Sequence, residues 1–195
     1  MAKLIWPGST QLAPVPAVLV GTGGGNFADN LITVAWAGIV CSAPPMLSIS
    51  VRPERFSYQP LVETREFTVN VPLASQAEIV DWCGVVSGRD HDKFAEKKLT
   101  ALRGSQVAAP LVAECPLNLE CKVKDIIKLG SHDLFLAEIV AVQVSEEYLT
   151  KTGRLDLEHN GGVLGYAHGH YFQLGKCLGH FGFSVRKKPG RKVRK

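Results

Sequence analysis

Apolar residues in this chain recur in short runs with polar residues between them. PAVLVGT (16–22), LITVAWAGIV (31–40), MLSISVR (46–52) and EFTVNVP (66–72) are rich in Val, Ile and Thr. Two longer runs follow, PLNLECKVKDIIKL (116–129) and HDLFLAEIVAVQVS (132–145). β-Branched residues at alternating positions predict strands. The alternation in the two long runs suits antiparallel barrel strands with one buried face. Helical patterns are few. Residues 57–65 predict one helix, with Ser57 as its N-cap and Pro60 in the first turn, where a missing N–H is tolerated. SQAEIVDWCGVV (75–86) predicts a second, again opened by a serine, and DKFAEKK (92–98) a third. The strand–helix alternation of a doubly wound fold is missing. The pattern therefore predicts a mainly β chain, an antiparallel barrel with a few helices packed outside it. No repeat and no linker interrupts it before residue 186, so residues 1–185 are expected to form one domain.

Composition sharpens this only in places. The 195 residues are 46% hydrophobic and 21% charged, the balance of a folded chain. No apolar run approaches the roughly 20 residues that span a bilayer, and MAKLIWPGST lacks a signal-peptide core. Cys41, Cys83, Cys115, Cys121 and Cys177 are scattered, odd in number and form no CxxC pair, which suggests reduced structural thiols and a cytoplasmic location. The net charge of +4 belongs to the end of the chain. RKKPGRKVRK (186–195) carries seven basic residues and no acidic one; without it 15 basic residues face 18 acidic ones. This tail is expected to be a solvated, disordered end. No aromatics interleave its charges to stack on bases, so nucleic acid is an unlikely partner.

Three clusters carry possible chemistry. GTGGGN (21–26) follows a strand, but no helix opens after the glycines to hold a phosphate, so a hairpin turn explains it. AHGHY (167–171) places His168 and His170 two apart, with no third ligand at a diagnostic spacing; they read as polar strand histidines, and no metal is expected. SVRPERFSYQ (50–59) is the sharpest. Arg52 and Arg55 can fork onto phosphate oxygens, and Ser57 can donate at a helix start. A surface ion pair to Glu54 with a simple helix cap explains the same residues, and local chemistry leaves both readings open.

Taken in order, the motifs resemble the flavin reductase-like family of FMN-binding split barrels. NLITVAWAGIVCSAPPMLSISVRPERFSYQPL (30–61) is similar to the family's core pattern: Asn, a strand ending in Trp, a double proline, a strand, basic residues and a helix. EFTVNVP, SGRDHDKF (87–94), GSHDLFLAEI (130–139) and YFQLGK (171–176) follow in the family's order. The resemblance implies an antiparallel barrel of Greek-key type that binds FMN at a homodimer interface. Arg52, Arg55 and Ser57 would hold the 5′-phosphate. Thr33, Val34, Ala35 and Trp36 would border the isoalloxazine, with Ser50 beside it, and Ser87, Arg89 and Lys93 would approach it from the Asp-Lys-Phe stretch. The implied activity is NAD(P)H-dependent flavin or ferric reduction, with NADH or NADPH as donor. The alternative is a non-enzymatic electron carrier of the flavoredoxin kind. His132 is the implied catalytic residue, placed to orient a nicotinamide. The family's Gly-Asp-His reads Gly130-Ser131-His132 here, which puts that role in question.

Overall fold

The structure is a computed structural model that describes residues 1–157 and 162–185; the predicted basic tail lies outside the described residues. Its centre is a seven-stranded antiparallel sheet in the order β3-β2-β6-β9-β10-β5-β4. These are β2 (Val18–Gly24), β3 (Phe27–Val34), β4 (Ala37–Ser42), β5 (Pro45–Val51), β6 (Glu66–Val71), β9 (Leu117–Lys128) and β10 (Asp133–Val144). β1 (Val15–Pro16), β11 (Leu164–Ala167) and β12 (His170–Gln173) form a small second sheet, and β7 (Ala101–Arg103) pairs with β8 (Pro110–Val112). Among the described residues the α-helices are three and short: α1 (Tyr58–Thr64), α2 (Ala77–Val85) and α3 (Lys93–Glu96).

Alternation explains the burial. Val18 and Val20 of β2 face a core with Ile49, Phe67, Val123 and Phe135, inside the curl of the sheet. Ala17 and Leu19 face the other way, onto Val80 and Cys83 of α2 and Phe94 of α3. β2 is therefore covered on both faces, which is why PAVLVGT reads as an almost unbroken apolar run. GTGGGN does make a hairpin: Gly24 pairs with Phe27 around Gly25 and Asn26, and Gly25 has φ +58°. Glycine populates such a conformation without the Cβ clash other residues meet.

Several expectations need correction. LITVAWAGIV is not one strand. β3 and β4 lie at opposite edges of the seven-stranded sheet, and Ala35-Trp36 carries the chain across between them. The apolar run continues past β3 because β4 carries exposed Ile39 and Val40, and the strand is broken because an edge-to-edge passage cannot keep one ladder. Ser57 does not cap α1 through its side chain; its Oγ instead accepts from Asn30 Nδ2 at 2.7 Å. Ser75 does not cap α2 either. It sits in a 3₁₀ turn, Ala74–Gln76, and α2 starts at Ala77. α3 is shorter than predicted, but Asp92 caps it, accepting from Ala95 N at 3.0 Å. His168 is not a strand residue: it occupies the β11–β12 turn at φ +48°. Among the described residues no helix is long and apolar enough to cross a membrane.

Candidate functional site

The passage from β3 to β4 leaves a cleft between two sheet edges, and the cleft holds a cavity of about 360 Å³. Thr33, Val34, Ala35 and Trp36 line it from the crossing segment. Ser50, Val51, Arg52 and Arg55 line it from β5 and the turn that follows, and His132 from the start of β10. α2 closes the far side with Asp81, Gly84 and Val85, and β11 and β12 add Tyr166 and Tyr171. The crossing segment is pinned by Ser50 N donating to Trp36 O at 3.0 Å and by the Thr33 hydroxyl donating to Val80 O in α2. Gly84 makes that second contact possible, since a Cβ there would lie 3.2 Å from Thr33 Cβ.

A second cavity of about 230 Å³ abuts the first and shares Ile32, Arg52, Arg55 and Gly84 with it. Ser57, Ser87, Gly88, Arg89, Lys93 and Asn30 are among its other lining residues. The residues that the family resemblance implied, from Thr33 to His132, thus all border these two adjoining cavities, whereas the GTGGGN turn, His168 and His170 border neither. The polar end of the cleft is strongly cationic. Arg52 pairs with Glu54 at 3.3 Å on the surface. Arg55 and Arg89 have no carboxylate partner among the described residues. Lys93 is 3% exposed, and its Nζ donates to Leu31 O and Cys83 O, each at 2.7 Å. Burial pulls its pKa down to about 8, the nearby Arg55 pulls the same way, and Cys83 opposes. A buried ammonium held only by carbonyl dipoles is poorly compensated, and an anion would complete it. The ion-pair reading of the turn therefore holds for Arg52 alone, and the helix-cap reading of Ser57 does not hold. Ser57, 1% exposed, already accepts from Asn30 and so keeps its own O–H to donate.

The first cavity is less charged. Trp36 and His132 stack at 4.5 Å between ring centroids, tilted by 41°. His132 Nδ1 lies 3.0 Å from Ser131 Oγ. Burial and the guanidiniums of Arg52 and Arg55 lower the pKa of His132, against the opposing carboxylate of Glu54. The acid absent from Gly130-Ser131-His132 is not replaced by its neighbour. Asp133 points into the core and accepts from Tyr58 Oη at 2.5 Å. Opposite, Tyr171 Oη donates to Asp81 at 3.2 Å; burial and that carboxylate push its pKa up to about 12.

Sequence reasoning missed Asn30, Asp81, Gly84, Tyr166 and Tyr171 as site residues. Asn30 was legible as part of a motif; in the structure Gly88 lies so close to it that a Cβ there would be 2.1 Å from Asn30 Oδ1. Asp81 and the two tyrosines come together only through tertiary contacts. Among the described residues no three His, Cys, Asp or Glu side chains gather to hold a metal.

Comparison with known proteins agrees with this geometry. The chain superposes on flavoredoxin of Desulfovibrio vulgaris (Miyazaki F) with a TM-score of 0.87 and 32% identity, covering 95% of this chain and 100% of that one. An FMN-binding protein from Thermus thermophilus, solved with 1-cyclohex-2-enone, gives a TM-score of 0.72 at 26% identity over 88% of this chain and 93% of that one. The reductase component of a 4-nitrophenol 4-monooxygenase/4-nitrocatechol 2-monooxygenase from Rhodococcus opacus is 28% identical over 132 residues, 61% of this chain and 68% of that protein. The open seven-stranded sheet is a split barrel. Residues 10–175 match the flavin reductase like domain, and the chain belongs to the flavin reductase-like family.

Proposed function

We propose that this chain binds FMN in the cleft and works as an NAD(P)H-dependent flavin or ferric reductase. The observation that carries the proposal is the charge in the smaller cavity: Arg55, Arg89 and Lys93, without carboxylate partners among the described residues, line it together with the Ser57 hydroxyl, next to the larger cavity. The donor set fits a phosphate monoester, and the wider cavity fits a planar ring. The FMN-binding protein from Thermus thermophilus and the reductase component from Rhodococcus opacus support the same reading.

In this reading Arg55 and Arg89 fork onto phosphate oxygens, Ser57 donates its O–H, and Lys93 supplies charge from below. The backbone of residues 33–36 and Ser50 border the ring. Bound FMN would supply hydride acceptance at N5 and release of one or two electrons. The Trp36 and His132 side chains wall the cleft and exclude water from one side. The lowered pKa of His132 favours the uncharged imidazole, and with Ser131 Oγ against Nδ1 a hydrogen bond to a donor amide falls to Nε2. Tyr171, its pKa raised to about 12, holds Asp81 in place by donating its hydrogen bond.

A homodimer fits this reading, because Trp36, Ile39 and Val40 are exposed apolar residues beside an open cleft. A monomer by sedimentation at micromolar concentration with FMN retained would count against it. Five free thiols are in keeping with action in the cytoplasm. The alternative is a flavoredoxin-like carrier without nicotinamide activity, favoured by the likeness to flavoredoxin and by the missing acid at Ser131. Anaerobic stopped-flow mixing of FMN-loaded protein with NADH or NADPH separates the two. Direct bleaching of the flavin band supports the reductase; bleaching only by a reduced protein partner supports the carrier.

A further inference from the structure

The last stretch of the sequence differs in chemistry from everything before it. All 18 acidic residues lie before residue 159, and residues 159–195 carry eight basic residues and none that is acidic. Just beyond β12, Leu174 N donates to Val163 O at 3.2 Å. Among the described residues, the hydrogen bonds that follow join residues 177–185 only to one another, such as Phe183 N to His180 O at 2.9 Å and Val185 N to Gly182 O at 3.3 Å. The segment LGHFGFSV (178–185) leaves its apolar side chains uncovered: Leu178 is 91% exposed, Phe181 105%, Phe183 57% and Val185 81%. Phe183 lies over the backbone of Gly179, where a Cβ would come within 2.7 Å of its ring. RKKPGRKVRK follows directly in the sequence, with seven basic residues in ten.

We propose that residues 178–195 dock this protein on an anionic lipid surface. Phe181, Phe183 and Leu178 enter the headgroup layer, and the basic run pairs with the headgroup phosphates and carboxylates. Apolar insertion alone or basic charge alone gives weak, reversible attachment, and the two in sequence give a stable one. Each basic residue held near such a surface contributes about fivefold in affinity. Residues 1–185 hold 15 basic and 18 acidic residues, so the rest of the chain is repelled by the same surface and contact is confined to this end. Nucleic acid fits less well, because phosphate contacts would leave four apolar side chains in water. A second copy of the chain would cover the apolar side chains and leave seven like charges without a role. Docking of this kind is attachment to one face of a membrane and is independent of what the cleft holds.

The test is co-sedimentation of the full chain with vesicles of phosphatidylcholine, alone or with about 30% phosphatidylserine. Anionic vesicles should bind it at least about a hundredfold more tightly than neutral ones, and raising salt from about 0.1 to about 0.5 M should remove most of that difference. Phe181→Ser together with Phe183→Ser should weaken binding to anionic vesicles about tenfold, and Arg186→Gln with Lys187→Gln and Lys188→Gln about a hundredfold. Both variants should keep the parent's Tm, because neither phenylalanine is part of the core and residues 186–188 lie beyond it in the sequence. If the serine variant does not fold, the glutamine variant carries the contrast between anionic and neutral vesicles. Equal affinity for the two vesicle types, or binding to neither, overturns the proposal. So does duplex DNA bound more tightly than anionic vesicles by the parent and equally well by the serine variant, which gives the basic run to nucleic acid. A serine variant that falls from dimer to monomer in sedimentation also overturns it, since the aromatic residues then cover a second copy.

Discussion

Replacing Arg55 by alanine separates recognition of a phosphate from general stabilisation of the turn. The guanidinium borders both main cavities and has no carboxylate partner among the described residues, so its removal leaves no stranded anion behind. Its backbone N–H, which donates to Arg52 O at 3.1 Å and shapes the turn, survives the substitution. A charge-assisted hydrogen bond contributes roughly 1.5–3 kcal/mol, or about ten- to a hundredfold in affinity. FMN should weaken by that factor in Arg55→Ala. Riboflavin, which has the ring without the phosphate, should bind the variant as it binds the parent. Arg52→Ala should lose less FMN affinity, because Arg52 already pairs with Glu54 at 3.3 Å. The salt dependence of FMN binding should also fall in Arg55→Ala, since one screened attraction is gone. Parallel fluorescence titrations with the two ligands decide it. Equal losses for FMN and riboflavin would refute the phosphate assignment and leave Arg55 a structural residue. Ser57→Ala is a poorer probe. Ser57 is buried and accepts from Asn30, so its loss leaves an amide without a partner and costs about 1–3 kcal/mol of stability as well.

Two further predictions follow from charged groups that the fold buries. Lys93 has its pKa lowered to about 8, and a bound phosphate would raise it, so FMN binding above pH 8 must take up a proton. The FMN dissociation constant should rise up to about tenfold between pH 7 and 9, a rise that Lys93→Met abolishes; a flat profile in the parent would separate Lys93 from the phosphate. Glu120 is fully buried, and five hydrogen bonds from Ser105, Gln106, Val107 and Gln143 outweigh the upward push of burial and hold its pKa at about 2. A depressed carboxylate contributes stability that is present above its unfolded value of 4.5 and disappears as pH falls through about 2. Chemical denaturation at pH 7 should find Glu120→Gln less stable by about 3 kcal/mol, with the gap closing on acidification below about pH 5. Equal stability at pH 7 would show that the loop at 105–107 is held by other contacts.

Much of the barrel was readable because period-two burial leaves its mark on sequence. β9 and β10 were found nearly to the residue, since buried residues alternate with less buried ones over part of each strand, as at Cys121–Val123 and Asp133–Ala137. The break at Ala35-Trp36 was not readable. Both sides of it are apolar, and only the curl of the sheet separates the two edges. Helix starts were misjudged for a related reason. Ser57 and Ser75 have the side chain of a cap, but tertiary contacts decide where that hydroxyl goes, and Asn30 claims Ser57 from 27 residues away. Local chemistry marked only Arg52, Arg55 and Ser57 as a candidate site; the family resemblance supplied 33–36, Ser50 and 87–93. The far wall was not legible, because Asp81 and Tyr171 meet across 90 residues.

The central claim is that the cationic end of this cleft exists to hold the phosphate of a flavin. The most direct measurement is the absorbance and fluorescence of the purified full-length protein, before and after adding FMN. The account predicts a flavin band with one FMN per chain, or quenching of added FMN to that stoichiometry, and markedly weaker binding of riboflavin. A protein that shows no flavin band and leaves micromolar FMN unquenched would contradict it.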